Sequence, residues 1–122
     1  MDHRRPLSGR SFRVGKGVEV LPRLLAGGPR PFDLVFIDAD KASTAEYFSW
    51  AMRLVRPGSL IVVDNVVRNG AIADAHSLDE AVQGIQRFIE RAAADPRVSA
   101  TAIQTVGSKG YDGFALLVVN SL

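Results

Sequence analysis

Two short apolar runs, each ending in side chains that carry oxygen, constrain the fold of this chain more than any other feature. Residues 34–37 (Leu-Val-Phe-Ile) run directly into Asp38, and residues 60–63 (Leu-Ile-Val-Val) run directly into Asp64 and Asn65. Short runs rich in β-branched and aromatic residues are typical of strands covered on both faces, as in parallel sheets. Because open α/β sheets bind ligands at the carboxyl ends of their strands, the two runs predict a site at one edge of a sheet.

Helical patterns alternate with these strands along the chain. Ser77 and Glu80 have the spacing of a capping box, and an apolar stripe from Leu78 to Ala92 predicts a helix that ends before Pro96. Alternating strands and helices predict a parallel sheet, and the last two strands, which no helix separates, are expected to form an antiparallel pair. The other predicted elements are strands at residues 11–14, 33–37, 60–63, 98–106 and 114–119, helices at residues 18–25 and from Ser43 or Thr44 to about Val55, and connections at residues 65–76 and 107–113.

Length and composition are those of one globular domain. The chain has 122 residues, of which 47% are hydrophobic and 23% charged, and we expect residues 1–10 to be a flexible leader before a domain at 11–122. With no cysteine, the chain has neither a disulfide framework nor a thiolate site. A net charge of +2 gives no reason to expect nucleic acid as a partner, and no apolar run reaches membrane-spanning length. These features predict a cytoplasmic protein that binds neither nucleic acid nor membrane.

Asp38, Asp64 and Asn65 are the first candidates for a functional site. Three oxygen-bearing side chains from two neighbouring strand ends can converge on one point, and carboxylate and amide oxygens suit Mg²⁺ or Ca²⁺. The alternative is that acidic residues at strand ends cap helices or face solvent, which is the commoner role of a single Asp. The residues alone leave both interpretations open.

Lys41 follows Asp38 by three residues and is the next candidate. A lysine beside a reacting hydroxyl can act as a general base, whereas the spacing alone favours a solvated surface lysine. Asp40 can either pair with Lys41 or cap the next helix. The two histidines, His3 and His76, lie in polar segments and are predicted to be surface residues.

Residues 32–41, with an Asp-Ala-Asp-Lys block, and residues 56–66, with a Pro-Gly turn and an Asp-Asn pair, form a recognisable pattern. Together with their spacing, they closely resemble the metal-dependent class I O-methyltransferases. These are the caffeoyl-coenzyme A and catechol O-methyltransferase-like enzymes and their bacterial relatives. The resemblance extends over about residues 12–120. It implies a Rossmann-like α/β fold and methyl transfer from S-adenosylmethionine (SAM) to a phenolic, usually catecholic, hydroxyl.

By this resemblance, Asp38, Asp64 and Asn65 would be ligands of a divalent metal, for which Mg²⁺ is expected. Lys41 would be the catalytic residue that helps to deprotonate the substrate hydroxyl. In such a reaction the metal lowers the pKa of the hydroxyl and orients its oxygen, while SAM supplies the methyl group. The implied partner is a small phenolic molecule.

Four positions match residues that line the SAM site in the family. They are Asp38, Asp40, Tyr47 and Gly17, the last of these on the adenine side. The glycine-rich loop and the acidic residue that bind most of the cofactor belong to the family's first half, which this chain does not match. The resemblance therefore implies only part of a SAM site.

The family's sheet has the strand order 3-2-1-4-5-7-6, and this chain matches strands 3 to 7, with the last strand antiparallel. Without strands 1 and 2, one edge of the strand at residues 33–37 would be unpaired, and for this reason we expect a homodimer. Arg68 and Asn69 stand where relatives commonly carry Trp-Gly, which alters the predicted wall above the metal site. Three interpretations stay open: a truncated O-methyltransferase, a non-catalytic half-domain that self-associates or pairs with another chain, and a divalent-metal hydrolytic or binding domain.

Overall fold

The structure, a computed structural model, describes residue 13 and residues 15–108 and 110–122. In chain order its elements are α1 (Gly17–Ala26), β1 (Phe32–Ile37), a 3₁₀ helix (Lys41–Ser43), α2 (Thr44–Met52), β2 (Val55–Asp64), a second 3₁₀ helix (Arg68–Ala73), α3 (Glu80–Ala94), β3 (Val98–Gly107) and β4 (Gly110–Val119). Within these described residues, no helix is both long enough and apolar enough to cross a membrane. The leader expected at residues 1–10 lies outside the described residues, and so does the strand predicted at residues 11–14, apart from Arg13, which is not in a strand.

The described strands form one mixed sheet in the order β1-β2-β4-β3. β1 and β2 are parallel, and Ile37 lies beside Val63 at their last paired position. β4 is antiparallel to both β2 and β3, and β3 and β4 form a hairpin. The predicted α/β alternation and the antiparallel final pair are confirmed. The strand order corresponds to strands 4-5-7-6 of the sheet that the resemblance implied.

One face of the sheet carries the hydrophobic core. Side chains alternate between the two faces along a strand, so the buried Ile61, Val63 and Leu117 share one side. Phe48 of α2 and Phe88 of α3 pack into the same core, edge to face, with ring centroids 5.5 Å apart. Full burial of each large side chain contributes about 1.5–3 kcal/mol to stability. The half-buried apolar residues of α1 also pack against this core, so the described helices cover this face of β1, β2 and β4, whereas most of β3 is exposed.

The opposite face of the sheet is apolar but is not covered by the described helices. Leu34 and Phe36 of β1 are 58% and 60% exposed. The expectation that both faces of the run at residues 34–37 are covered is therefore wrong for the described residues, because α1, α2 and α3 all pack on the other side. We call the apolar side chains on this side the open face: Leu34, Phe36, Leu60, Val62, Ile103, Phe114, Leu116 and Val118.

The helix predicted to reach about Val55 ends at Met52 instead. The carbonyl oxygen of Leu54 accepts a hydrogen bond from the backbone N–H of Phe32 at 2.8 Å, which starts strand pairing at this point. Val55 is therefore the first residue of β2, which begins before the strand predicted at residues 60–63. The Pro-Gly turn lies inside β2 as an irregularity, bridged by the hydroxyl of Ser59, which donates to the carbonyl oxygen of Phe32 at 2.7 Å.

The start of α3 also differs from the prediction. Asp79, and not Ser77, is the N-cap, because its Oδ1 accepts hydrogen bonds from the backbone N–H groups of Ala81 at 2.8 Å and Val82 at 3.5 Å. The hydroxyl of Ser77 accepts a hydrogen bond from the N–H of Asp79 at 3.2 Å. Leu78 precedes the helix and is 91% exposed, so it does not belong to the apolar stripe.

Two predicted connections contain more regular structure than expected. Residues 68–73 form two short 3₁₀ turns joined by a kink at Asn69 and Gly70, whose φ values of 55° and 84° are not helical, inside the connection predicted at residues 65–76. β4 begins at Gly110 rather than at Phe114, because Thr105 and Val106 of β3 pair with Asp112 and Tyr111. The β3–β4 hairpin is therefore longer than the strands predicted at residues 98–106 and 114–119.

Gly84 allows α3 to approach the 3₁₀ helix that follows β1. The glycine is buried, and a Cβ atom at this position would collide with the backbone of Lys41 and Ala42. A glycine inside a helix lowers helix stability, so the presence of glycine at this position is explained by the close packing. The close approach fixes the position of the segment that carries Lys41.

Replacing Gly84 with Ala is expected to destabilise the fold, although Ala is the better helix former. The added methyl group would force two backbone segments apart, and overpacking of this kind costs about 1–3 kcal/mol. Chemical denaturation followed by circular dichroism measures the change, with Glu90→Ala on the exposed side of α3 as the control. A Gly84→Ala chain as stable as the wild type would contradict the packing role.

Candidate functional site

The carboxyl ends of β1 and β2 bring the predicted ligands to one edge of the sheet. Asp38 and Asp64 directly follow Ile37 and Val63, which are register partners on adjacent parallel strands. Asn65 then turns the chain with a φ of 62°, in the left-handed region that Asn tolerates better than most residues. We call Asp38, Asp64 and Asn65 the strand-end cluster.

The donor chemistry of the strand-end cluster fits a hard divalent cation. Two carboxylates and one amide oxygen are ligands that Mg²⁺ accepts together with water or substrate. Asn65 donates from Nδ2 to Oδ2 of Asp112 at 3.1 Å, which leaves its amide oxygen for a cation. Within the described part of the chain, no three His, Cys, Asp or Glu side chains are grouped as metal ligands.

Lys41 is held beside Asp38 and largely out of solvent. Its Nζ donates to Oδ1 of Asp38 at 2.9 Å, and its side chain is 15% exposed, compared with 55% for Asp38. The hydroxyl of Thr44 donates to the carbonyl oxygen of Lys41 at 2.9 Å and fixes the backbone. The prediction of a solvated surface lysine, which the spacing favoured, is therefore wrong. The amine of Lys41 lies beside Asp38 of the strand-end cluster.

Asp40 accepts a hydrogen bond from Tyr47 and is the N-cap residue of the first 3₁₀ helix, whereas the predicted pairing with Lys41 is not observed because Lys41 pairs with Asp38. The hydroxyl of Tyr47 donates to Oδ1 of Asp40, and the side chain of Asp40 makes no capping hydrogen bond to the helix that follows. The hydrogen bond from Tyr47, helped by Ser43, lowers the pKa of Asp40 against the opposing effect of desolvation. Burial, and then the hydrogen bond to Asp40, raises the pKa of Tyr47 to about 12.

A cavity of about 300 Å³ lies between α1, β1 and α2. Three of the four candidate cofactor residues line it, namely Gly17, Asp38 and Tyr47, and the fourth, Asp40, is hydrogen-bonded to Tyr47. A Cβ atom at Gly17 would lie 2.6 Å from the ring of Tyr47, so glycine is required for α1 to begin here. The structure therefore places the four predicted residues together at a largely apolar cavity with a carboxylate at its end.

Asp112 of β4 belongs to this site, although no sequence motif pointed to it. Its Oδ1 accepts hydrogen bonds from the backbone N–H groups of Val67, Arg68 and Gly113 at 3.1, 2.9 and 2.8 Å, and its Oδ2 accepts the bond from Asn65. Desolvation acts to raise the pKa of Asp112, but the hydrogen bonds together lower it. An acidic residue beside a glycine in a predicted connection gave no signal of this role.

Arg68 and Asn69, which stand where the resemblance implies Trp-Gly, lie in the loop that follows the strand-end cluster. Arg68 and Asn69 both have positive φ, of 51° and 55°. Oδ1 of Asn69 accepts a hydrogen bond from the backbone N–H of Tyr111 at 2.6 Å, which ties the loop to the start of β4. His76, at the end of the loop, is exposed as predicted, and His3 lies outside the described residues.

We expect the phenol of Tyr47 to ionise near its raised pKa of about 12, above the ordinary tyrosine value of 10.0. Since folding raises this pKa, the contribution of Tyr47 to stability is complete below pH 10 and declines as the pH rises toward 12. Ultraviolet absorbance titration of the wild type and of Tyr47→Phe measures the step, with Tyr111→Phe as the control. A Tyr47→Phe chain that keeps the high-pH step would contradict the burial and bonding of this phenol.

Known proteins that are similar to this chain are O-methyltransferases. The sequence matches the model of the O-methyltransferase family over residues 8–117. The catechol O-methyltransferase of Niastella koreensis is 52% identical over 108 residues, which are 88% of this chain and 49% of that protein. The structure of the O-methyltransferase from Bacillus cereus in complex with SAH is similar with a TM-score of 0.86 and 55% identity, covering 88% of this chain and 49% of that chain. The O-methyltransferase TomG of Streptomyces achromogenes, in complex with SAM, is similar with a TM-score of 0.84 and 51% identity, covering 88% and 48% of the two chains.

These matches include the sheet and the strand-end cluster. The chain spans about half the length of the curated relatives it matches. The family match nevertheless extends over residues 8–117 of its 122 residues. The chain therefore belongs to the O-methyltransferase family.

Proposed function

We propose that this chain carries the metal-binding and acceptor-binding part of a SAM-dependent O-methyltransferase. The acceptor is a phenolic or catechol hydroxyl, and the metal is Mg²⁺. The observation that carries the proposal is the pairing of a largely buried Lys41 with Asp38, next to Asp64 and Asn65. The name of the relative from Niastella koreensis supports the class of acceptor, and the solved relatives in complex with SAM and SAH support the cofactor.

Lys41 is the residue placed to receive the proton of the acceptor hydroxyl. Its Nζ lies 2.9 Å from Asp38, so a hydroxyl oriented at the strand-end cluster comes within reach of the amine. When bound, Mg²⁺ would favour the ionised form of this hydroxyl and orient its oxygen. When bound, SAM would supply the methyl group and its sulfur would be the leaving group, while Lys41, after losing its own ammonium proton to solvent, would accept the proton of the acceptor hydroxyl.

The cavity between α1, β1 and α2 is the proposed place for part of SAM. Asp38 belongs both to the cavity lining and to the strand-end cluster, so a molecule in the cavity would lie close to the acceptor. The hydrogen bond from Tyr47 holds Asp40 as a charged acceptor for polar groups of the cofactor. We expect these residues to supply one side of a cofactor site and to bind SAM weakly on their own.

Two substitutions separate the metal site from the general base. Asp64→Ala is expected to abolish Mg²⁺ binding, because it removes one of the two carboxylates. Lys41→Ala should retain Mg²⁺ binding and lower methyl transfer from labelled SAM to a catechol by about 10²–10⁴-fold, the range for a lost general base. Isothermal titration calorimetry measures the first effect, and incorporation of labelled methyl measures the second.

Asp33→Ala is the matched control for Asp64→Ala. Asp33 is an exposed carboxylate at the opposite end of β1, ion-paired with Arg56 at 2.6 Å, and its loss should leave Mg²⁺ affinity unchanged. Unchanged Mg²⁺ affinity in Asp64→Ala would refute the metal site. Unchanged methyl transfer in Lys41→Ala would refute the role of the amine.

We propose in addition that the chain forms a homodimer through the edge of β1 and the open face. In the part of the chain that the structure describes, β1 pairs only with β2, so its other edge offers free backbone groups. Leu34, beside this edge, is more than half exposed. An unpaired apolar edge strand is a template for pairing with another chain, and an apolar patch on the same strand adds hydrophobic area. These features also favour the interpretation of a self-associating half-domain.

Leu34→Lys is expected to shift the dimer toward monomer, because it places a charge in the centre of the proposed interface. Size-exclusion chromatography with light scattering over a range of concentrations measures the mass. Val106→Lys adds the same charge at a residue of β3 that is 82% exposed, and should leave the mass unchanged. A monomeric wild type, or a Leu34→Lys chain that stays dimeric, would contradict this interface.

A further inference from the structure

The loop after Asp64 contains several residues in left-handed backbone conformation. Asn65, Arg68 and Asn69 have φ values of 62°, 51° and 55°. Residues other than glycine cost conformational energy in this region and persist there only where the surrounding structure holds them. The position of Asn65 therefore depends on contacts from other parts of the fold.

Asp112 supplies most of these contacts. Its hydrogen bonds reach Asn65, Val67 and Arg68, and thus extend over the strained part of the loop. Asp112 lies on β4, where it pairs with Thr105 across the hairpin, so the loop is anchored to the antiparallel part of the sheet. Among the described residues, no salt bridge joins Asp112 to a basic side chain.

The bond between Asn65 and Asp112 also determines which end of the amide is free. A side-chain amide has a donor end, the NH₂ group, and an acceptor end, the carbonyl oxygen. A carboxylate can only accept, so it takes the NH₂ group of Asn65, as the 3.1 Å contact from Nδ2 to Oδ2 indicates. The opposite end of the same amide, the oxygen, is then held available as a ligand.

We propose that Asp112 is a positioning residue that orients the amide oxygen of Asn65 toward a bound cation and holds the strained loop. The inference rests on the metal site proposed above. Hydrogen-bond partners of metal ligands fix the orientation of those ligands, and their loss lowers metal affinity by about 10–100-fold. Asp112 acts through Asn65, so its loss is expected to lower Mg²⁺ affinity and to raise the mobility of the loop. Any effect on methyl transfer would follow from these two changes.

Asp112→Asn tests this role with little change in side-chain size. The substitution replaces one of the two carboxylate oxygens with an NH₂ group, which donates hydrogen bonds and does not accept them. The side chain at position 112 can therefore no longer accept all four hydrogen bonds. We expect Mg²⁺ affinity, measured by calorimetry, to fall about 10–100-fold. We also expect faster hydrogen exchange of the Val67 and Arg68 amides, which a loss of catalysis alone would not cause.

Asp74→Asn is the matched control. It makes the same change of charge in the connection that Asp112 contacts, but Asp74 is exposed and its Oδ1 accepts a hydrogen bond from the N–H of His76 at 2.9 Å. This variant should bind Mg²⁺ like the wild type. If Asp112→Asn also binds Mg²⁺ like the wild type while Asp64→Ala does not, the positioning role is wrong and the metal site stands.

Two further outcomes are decisive. If the wild type does not bind Mg²⁺, the metal site fails, and the inference fails with it. If Asp112→Asn does not fold, nuclear magnetic resonance of the wild type replaces it. Slower exchange of the Asn65 side-chain amide than of the exposed Gln104 side-chain amide supports the role, and equal exchange overturns it.

Discussion

The parallel pairing of β1 with β2 is the contact on which the proposed site depends. The register that places Ile37 beside Val63 also places Asp38 and Asp64 side by side at the carboxyl edge. A slip of one residue would turn every side chain of a strand to the other face of the sheet. The fully buried Ile61 and the nearly fully buried Val63 oppose such a slip, because their burial against the helices would be lost. Core packing therefore fixes the spacing of the two carboxylates.

Two other elements complete the strand-end cluster from opposite sides. α3 approaches through Gly84 and positions the 3₁₀ helix that carries Lys41. β4 approaches through Asp112 and holds the loop that carries Asn65. The amine and the amide oxygen thus come from short, irregular segments, each held by a regular element distant in sequence. This arrangement is typical of sites in which a rigid scaffold orients residues on loops.

Much of this site follows from the sequence, because its main residues directly succeed apolar strands. The runs at residues 34–37 and 60–63 predicted the strand ends, and the resemblance predicted the residues gathered there. Contacts between distant segments were not predictable in the same way. Nothing in the neighbourhood of Asp112 indicates that it binds a loop more than forty residues earlier in the chain, as the separation of 44 from Arg68 shows.

Where two nearby residues could have the same local role, contacts with the rest of the fold decide between them. Ser77 and Asp79 are both good N-cap residues, and the chain direction into α3 selects Asp79. The helix predicted to reach about Val55 ends at Met52, because Val55 already pairs with β1. The open face could not be recognised, because an apolar strand has the same sequence whether one or both of its faces are covered.

The central claim is that this chain holds the metal and the acceptor but only part of the SAM site. Calorimetric titration of the purified chain with SAM, with and without Mg²⁺, tests it most directly. We expect Mg²⁺ to bind and the affinity for SAM to be weaker than micromolar, that is, weaker than about −8 kcal/mol. Micromolar SAM binding in the absence of Mg²⁺, or no binding of Mg²⁺ at all, would contradict the claim.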